Sequence, residues 1–248
     1  YQIHKEREKK MILHTAILGS GVPLIFLHTG LQTGATDYLY QIDYFKDSYN
    51  IILPDLRGHG HSTTNNLSNF FEESALDLAE TLNHLKIDTA HIAGCSLGAL
   101  VGLFFAKRYP EKVKSLTLSG ILSERPSNWS ELHKEDVKSQ SELLQNDSAV
   151  EYFDNIHEAD WRKSLALAKD ENWYPFQETK DLDGIASPVL YMVGEGNSAE
   201  TKGALSYPSM KEDIHVCIIP FASHLVHSDQ PELYSKILEE FLTRVDHE

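Results

Sequence analysis

The sequence predicts an α/β fold, a mostly parallel sheet flanked by helices with a small helical insertion. Three observations predict it. Short apolar runs rich in β-branched residues alternate with segments whose apolar residues recur at helical spacing. Most of these runs are apolar throughout rather than alternating, which is the mark of strands buried on both faces. The alternation is interrupted once, over 123–183, by a stretch with helical character and no convincing strand.

Taken in order, Met11 to Leu18 reads as a strand that ends at the turn signal Gly19-Ser20-Gly21. Pro23 to Leu27 is a second strand, and Asn50 to Pro54, rich in isoleucine, a third. Phe71, Ala75, Leu78, Ala79, Leu82 and Leu85 then repeat at helical spacing and give one apolar face. Thr89 to Ala93 is a fourth strand. A helix follows, marked by Leu97, Leu100, Val101, Phe104 and Phe105. Val113 to Ser119, Pro188 to Val193 and Ile214 to Pro220 complete the strands. The closing helix carries Leu233, Ile237, Phe241, Leu242 and Val245, with Asp229 as a candidate N-cap and Pro231 near its first turn. The interrupting stretch holds all three tryptophans, Trp129, Trp161 and Trp173. They line a pocket or form the insertion's own core.

Composition narrows the function classes. With 41% hydrophobic residues over 248 positions, the chain can bury a sizeable core, so disorder is not its main state. No apolar run reaches the roughly 18 residues a membrane span needs. Tyr1 to Lys10 is charged rather than apolar, so no secretory leader is visible there. A formal net charge of −15 repels phosphate backbones and anionic membrane surfaces, so neither nucleic acid nor a membrane is the expected partner. The two cysteines, Cys95 and Cys217, are too few for a disulfide framework, so both are read as reduced and the compartment as cytoplasmic.

The segment with the most chemistry is Gly94-Cys95-Ser96-Leu97-Gly98, between an apolar strand and an apolar helix. A G-x-S-x-G pattern carries meaning only in that setting. A serine on a strand-to-helix turn needs small neighbours two residues either side, because the two backbones crowd there. The helix N-terminus offers backbone N–H groups and a positive dipole end to a developing oxyanion. Ser96 is therefore the candidate nucleophile, and the Leu97 N–H the natural oxyanion donor.

A serine hydroxyl needs a base at neutral pH, and histidine suits the task. Of 13 histidines, His224 is preferred because it falls between the last strand and the last helix. His227 falls at the helix start, where the chain points away from the nucleophile. His59 and His61 form an H-x-H pair without a third ligand at convincing spacing, so no metal is expected.

With these residues the chain resembles the α/β-hydrolase superfamily over nearly its whole length. His28-Thr29-Gly30 looks like the family's His-Gly oxyanion loop, with threonine where glycine is usual. Asp55-Leu56-Arg57-Gly58-His59-Gly60-His61-Ser62 matches its D-x-R-G-x-G-x-S turn, and the Ser96 turn and His224 follow in the expected order. The resemblance implies a core of residues 1–122 and 184–248 with a helical cap at 123–183. It also implies Gly30 as second oxyanion donor and a serine hydrolase acting on a small-molecule ester or related carbonyl, with no cofactor. Asp55 and Arg57 tie their own turn together, and Cys95 packs inward. The family's acid position falls on Asn197 in Gly194-Glu195-Gly196-Asn197. Three readings stay open there: Asn197 itself orients His224, a nearby carboxylate (Glu195 or Glu200) does so, or the acid comes from Glu124 after the fifth strand. An amide at the acid position also motivates the alternative of a ligand-binding or signalling homologue with little turnover.

Overall fold

The computed structural model describes residues 11–247; the charged segment Tyr1 to Lys10, where no leader was expected, lies outside them. Seven strands form one sheet in the order β1-β3-β2-β4-β5-β6-β7. They are β1 (Thr15–Gly19), β2 (Val22–Leu27), β3 (Tyr49–Pro54), β4 (Ala90–Cys95), β5 (Val113–Ser119), β6 (Val189–Gly194) and β7 (Ile214–Ile219). Only β1 runs antiparallel, against β3; every other pair is parallel. β4, β5 and β6 are buried at every residue or all but one. That explains why their sequences read as continuous apolar runs.

All seven predicted strands are present, with one shortened at its start. Met11 to His14 stays outside the ladder because its backbone bonds go elsewhere. Leu13 N–H donates to Thr81 Oγ1 at 2.9 Å, and His14 N–H to Ser62 Oγ at 2.9 Å.

Helices cover both faces. On one lie α2 (Phe70–Leu85) and α3 (Leu97–Arg108), packed on Ile25, Leu27, Ile92 and Leu116 of the strands. On the other lie α1 (Leu39–Phe45) and α10 (Pro231–His247), packed on Leu24, Phe26, Ile51 and Leu190. Pro231 opens α10 as expected, where its missing N–H costs no hydrogen bond. Asp229 does not cap that helix. It ends the short α9 (Val226–Asp229), and its carboxylate accepts from Ser223 N–H at 2.8 Å.

Between β5 and β6 the described chain holds helices and no strand: α4 (Trp129–Leu143), α5 (Asp147–Ile156), α6 (Arg162–Leu167) and α7 (Phe176–Thr179). The remaining helix, α8 (Ser198–Ser206), follows β6. Among the described residues no helix is long and apolar enough to cross a membrane.

Candidate active site

Ser96 sits between β4 and α3 with φ 53° and ψ −120°, a conformation that non-glycine residues rarely adopt. Such a backbone costs about 1–3 kcal/mol and persists only where its surroundings hold it. Here they do. Ser96 N–H donates to Ser119 O at the end of β5 at 2.9 Å. The flanking glycines are required by space: a Cβ at Gly98 would lie 2.0 Å from Leu27 O, and one at Gly94 would lie 2.6 Å from Gly98 O. The sharp turn presents Ser96 at the carboxyl ends of the strands, where three cavities meet around it. Leu97, the first residue of α3, has one of the N–H groups for which a helix offers no partner.

Gly30 follows β2, and its N–H makes no hydrogen bond to any described residue. Its two neighbours are tied. Thr29 donates through both N–H and Oγ1 to Asp37 Oδ2, at 2.8 and 2.9 Å. The side chain at Thr29 thus adds a second anchor instead of crowding the loop. Leu31, with φ 65°, offers its carbonyl to His157 Nε2 at 2.8 Å. His28 is fully buried, donates from Nδ1 to Thr29 O and accepts from Leu56 N–H at Nε2. Burial lowers its pKa, so it stays neutral and ties the loop to the following turn.

His224 lies after β7. Its Cε1 and the Ser96 N both lie 3.1 Å from the point a Cβ on Gly120 would occupy, so glycine at 120 leaves room for the imidazole beside the serine. His224 Nδ1 donates to Glu200 Oε1 at 2.6 Å. A carboxylate can only accept, so this bond leaves the Nε2 lone pair free to take a proton. Burial disfavours the imidazolium, but the hydrogen bond and charge of Glu200 outweigh it, helped by Asp136 and Asp229. The His224 pKa is raised. Glu200 is 2% exposed, and burial pushes its carboxyl upward against the opposing effect of His224 and Asn197.

This corrects the expectation for Asn197. Its side chain does not face His224. It caps α8, accepting from Glu200 N–H at 3.3 Å and donating from Nδ2 to Glu200 Oε1 at 2.6 Å. Asn-x-x-Glu is the spacing of a capping box, and that signal in the sequence places the carboxylate one helical turn inside α8. The other two carboxylates are engaged elsewhere: Glu195 accepts from Phe221 N–H, and exposed Glu124 pairs with Lys202.

The remaining candidates have other partners. Cys95 is fully buried, and burial holds its thiol well above the ordinary range. Arg57 pairs with Asp77 at 2.8 Å, and Asp55 accepts from Gly34 and His61 N–H. His61 is half exposed beside Glu158, while His59 is buried. Among the described residues no cluster of three or more metal-ligating side chains occurs. His227 is buried and donates to Asp37 Oδ1 at 2.8 Å, a pairing the sequence reading missed. Of the tryptophans, Trp161 packs within the helical insertion and is 1% exposed. Trp129 and Trp173 line the cavities.

Two of the cavities differ in size and lining. One, of about 480 Å³, is walled by Leu67, Phe70, Phe71, Leu97, Leu167 and Trp173. The other, of about 640 Å³, reaches His224 and Glu200 under Trp129 and Asp136. Among the described residues no lysine or arginine lines any of the three cavities at Ser96.

Comparison with known proteins identifies the family and the fold. A family model described as alpha/beta hydrolase fold matches residues 22–167, more than half of the chain. The chain is 23% identical to a 2-(acetamidomethylene)succinate hydrolase of Mesorhizobium japonicum, across 94% of this chain and 92% of that protein. It is 32% identical to 3-oxoadipate enol-lactonase 2 of Acinetobacter baylyi over 97 residues, 39% of this chain and 36% of that one. Several of the curated relatives are matched over only about two fifths of their length. The crystal structure of NosK from Streptomyces actuosus superposes with a TM-score of 0.80 at 21% identity, covering 92% of this chain and 100% of that one.

Proposed function

Because the chain belongs to the alpha/beta hydrolase fold family, we propose that it is a serine hydrolase that cleaves a small ester or related carbonyl substrate through an acyl-enzyme. Ser96 Oγ attacks the carbonyl carbon while His224 Nε2 takes its proton. The developing oxyanion accepts from the Leu97 and Gly30 N–H groups. His224 returns the proton to the leaving oxygen, then activates water to release the acid. Glu200 holds the imidazole in the required tautomer and stabilises it when charged, and Asn197 holds Glu200. The helices of 123–183 act as a cap over the pocket.

The observation that carries this reading is the 2.6 Å bond from His224 to a buried carboxylate, set beside a serine held at positive φ. It also removes the motive for a ligand-binding homologue, which was an amide in the acid position.

The relatives named above are described by substrates that are succinate or oxoadipate derivatives. A carboxylate favours a cationic partner, and among the described residues no lysine or arginine lines this pocket. The substrate proposed here is therefore uncharged near the scissile bond, with its apolar part against Phe70, Phe71 and Trp173.

The test is p-nitrophenyl acetate and butyrate hydrolysis by wild type and Ser96→Ala, with fluorophosphonate labelling of both. Turnover and labelling that vanish together in the variant support the proposal. A folded wild type that neither turns over nor labels sinks it.

A further inference from the structure

Gly30 has a problem that its surroundings must solve. Nothing lies within 4 Å of the place its Cβ would occupy, so no packing on that side fixes its backbone. An oxyanion donor must nevertheless be held to a fraction of an ångström before the reaction begins. The carbonyl of its own peptide, Thr29 O, accepts from His28 Nδ1 at 2.8 Å and Gln32 N–H at 3.2 Å, and the course of the loop on either side is set by what grips its neighbours. Thr29 is gripped from within the core by Asp37, itself bonded to His227. Leu31 is gripped from the helical insertion, because among the described residues its carbonyl has one partner, His157.

His157 follows α5 and is 7% exposed. Its Nδ1 accepts from Gly60 N–H at 2.7 Å, which leaves the ring proton on Nε2, pointing at Leu31 O. Gly60 is a firm base: its N–H and its carbonyl both bond to this segment, the carbonyl accepting from Glu158 N–H at 2.9 Å. It also lies against Asp55, whose Oδ2 would be 2.2 Å from a Cβ there. The imidazole therefore spans from a rigid turn to the carbonyl side of the oxyanion loop. Leu31 adopts φ 65° at that point, a conformation that needs an external tie.

We propose that His157 is a positioning residue, which anchors the far side of the loop carrying the Gly30 N–H by holding the Leu31 carbonyl two peptides on, and so makes oxyanion binding depend on the docked helical insertion. This rests on the reading of Gly30 as an oxyanion donor. Among the described residues no other hydrogen bond joins the helical insertion to residues 28–32. A substrate that displaced the insertion would release the loop, and one that fits beneath it would find the donor already aimed.

Two conservative variants separate this role from a merely structural one. In His157→Asn the amide oxygen replaces Nδ1, keeping the Gly60 bond and losing the bond to Leu31. In His157→Gln the amide nitrogen replaces Nε2, keeping Leu31 and losing Gly60. The measurements are kcat and KM for p-nitrophenyl butyrate, the rate of fluorophosphonate labelling and thermal unfolding, all on the full chain. His157→Asn should lower kcat and labelling by about 10²-fold, with KM within about threefold. His157→Gln should restore most of that rate even if it unfolds at lower temperature. The opposite order, or a loss in both variants that tracks their unfolding temperatures, overturns the proposal. Ser96→Ala, run alongside, keeps the two failures apart. If it still turns over, the serine-hydrolase reading falls. If it is inactive while His157→Asn matches wild type, only the positioning role falls.

Discussion

Replacing Glu200 by glutamine probes the site more sharply than removing Ser96, because it keeps the shape and deletes one charge. In the wild type Oε1 accepts from both His224 Nδ1 and Asn197 Nδ2, each at 2.6 Å. A glutamine oxygen in that place could accept from both and preserve the histidine tautomer. Its NH₂ would then sit where Oε2 is, a buried atom with no hydrogen-bond partner, at a cost of about 1–3 kcal/mol in stability. What is lost in catalysis is the attraction between carboxylate and imidazolium. At an effective dielectric of about 20 and a charge separation of about 4 Å this is roughly 4 kcal/mol. That corresponds to about 10³ in kcat. If the amide turns its NH₂ toward His224 instead, the tautomer is wrong and the loss approaches the roughly 10⁴ seen when a serine-protease aspartate becomes asparagine. Asn197→Ala removes only a hydrogen bond to Glu200, and about tenfold is expected. The assay is kcat for p-nitrophenyl butyrate, with unfolding curves to confirm that each variant is folded. A Glu200→Gln enzyme within tenfold of wild type, or an Asn197→Ala enzyme slower than Glu200→Gln, would refute the assignment of the carboxylate.

Three further outcomes follow from the same contacts. Since Glu200 raises the His224 pKa, wild-type kcat/KM should fall on the acid side with a midpoint above 6.5, and in Glu200→Gln that limb should move to lower pH; an unmoved limb means another group titrates. Asp37 is held down to about 2, burial being outweighed by its bonds to His227 and Thr29. Its carboxylate therefore adds stability above the ordinary value of 3.8, lost as pH falls toward 2, so Asp37→Asn should cost about 2 kcal/mol at pH 7 and progressively less below pH 4 in urea titrations. Gly98→Ala puts a Cβ 2.0 Å from Leu27 O, a backbone atom that cannot yield, and should lower stability by more than about 3 kcal/mol or prevent folding; a variant with an unchanged melting temperature would contradict the packing of α3 on β2.

The difference between what was legible and what was not follows the range of the interactions. Strands such as Val113–Ser119 announce themselves because burial on both faces demands an unbroken apolar run, a property of adjacent residues. The Ser96 turn is legible because its pattern lies within one strand-turn-helix unit: Gly94 is demanded by Gly98 inside that unit, although Gly98 is demanded by Leu27 at the end of β2. Even Glu200 left a local trace, as the third residue after an N-cap asparagine. The ties on the oxyanion loop left none. His157 reaches Leu31 across 126 positions and His227 reaches Asp37 across 190, and nothing near either histidine in sequence distinguishes it from the other eleven. His157 carries its meaning only once the insertion between β5 and β6 lies on the loop after β2, and His227 only once the segment after β7 reaches that same region. On the proposed mechanism the nucleophile is thus specified locally, but the exactness of its oxyanion donors is specified by long-range contacts. Substitutions far from Ser96 in sequence should accordingly change kcat while leaving its strained turn intact.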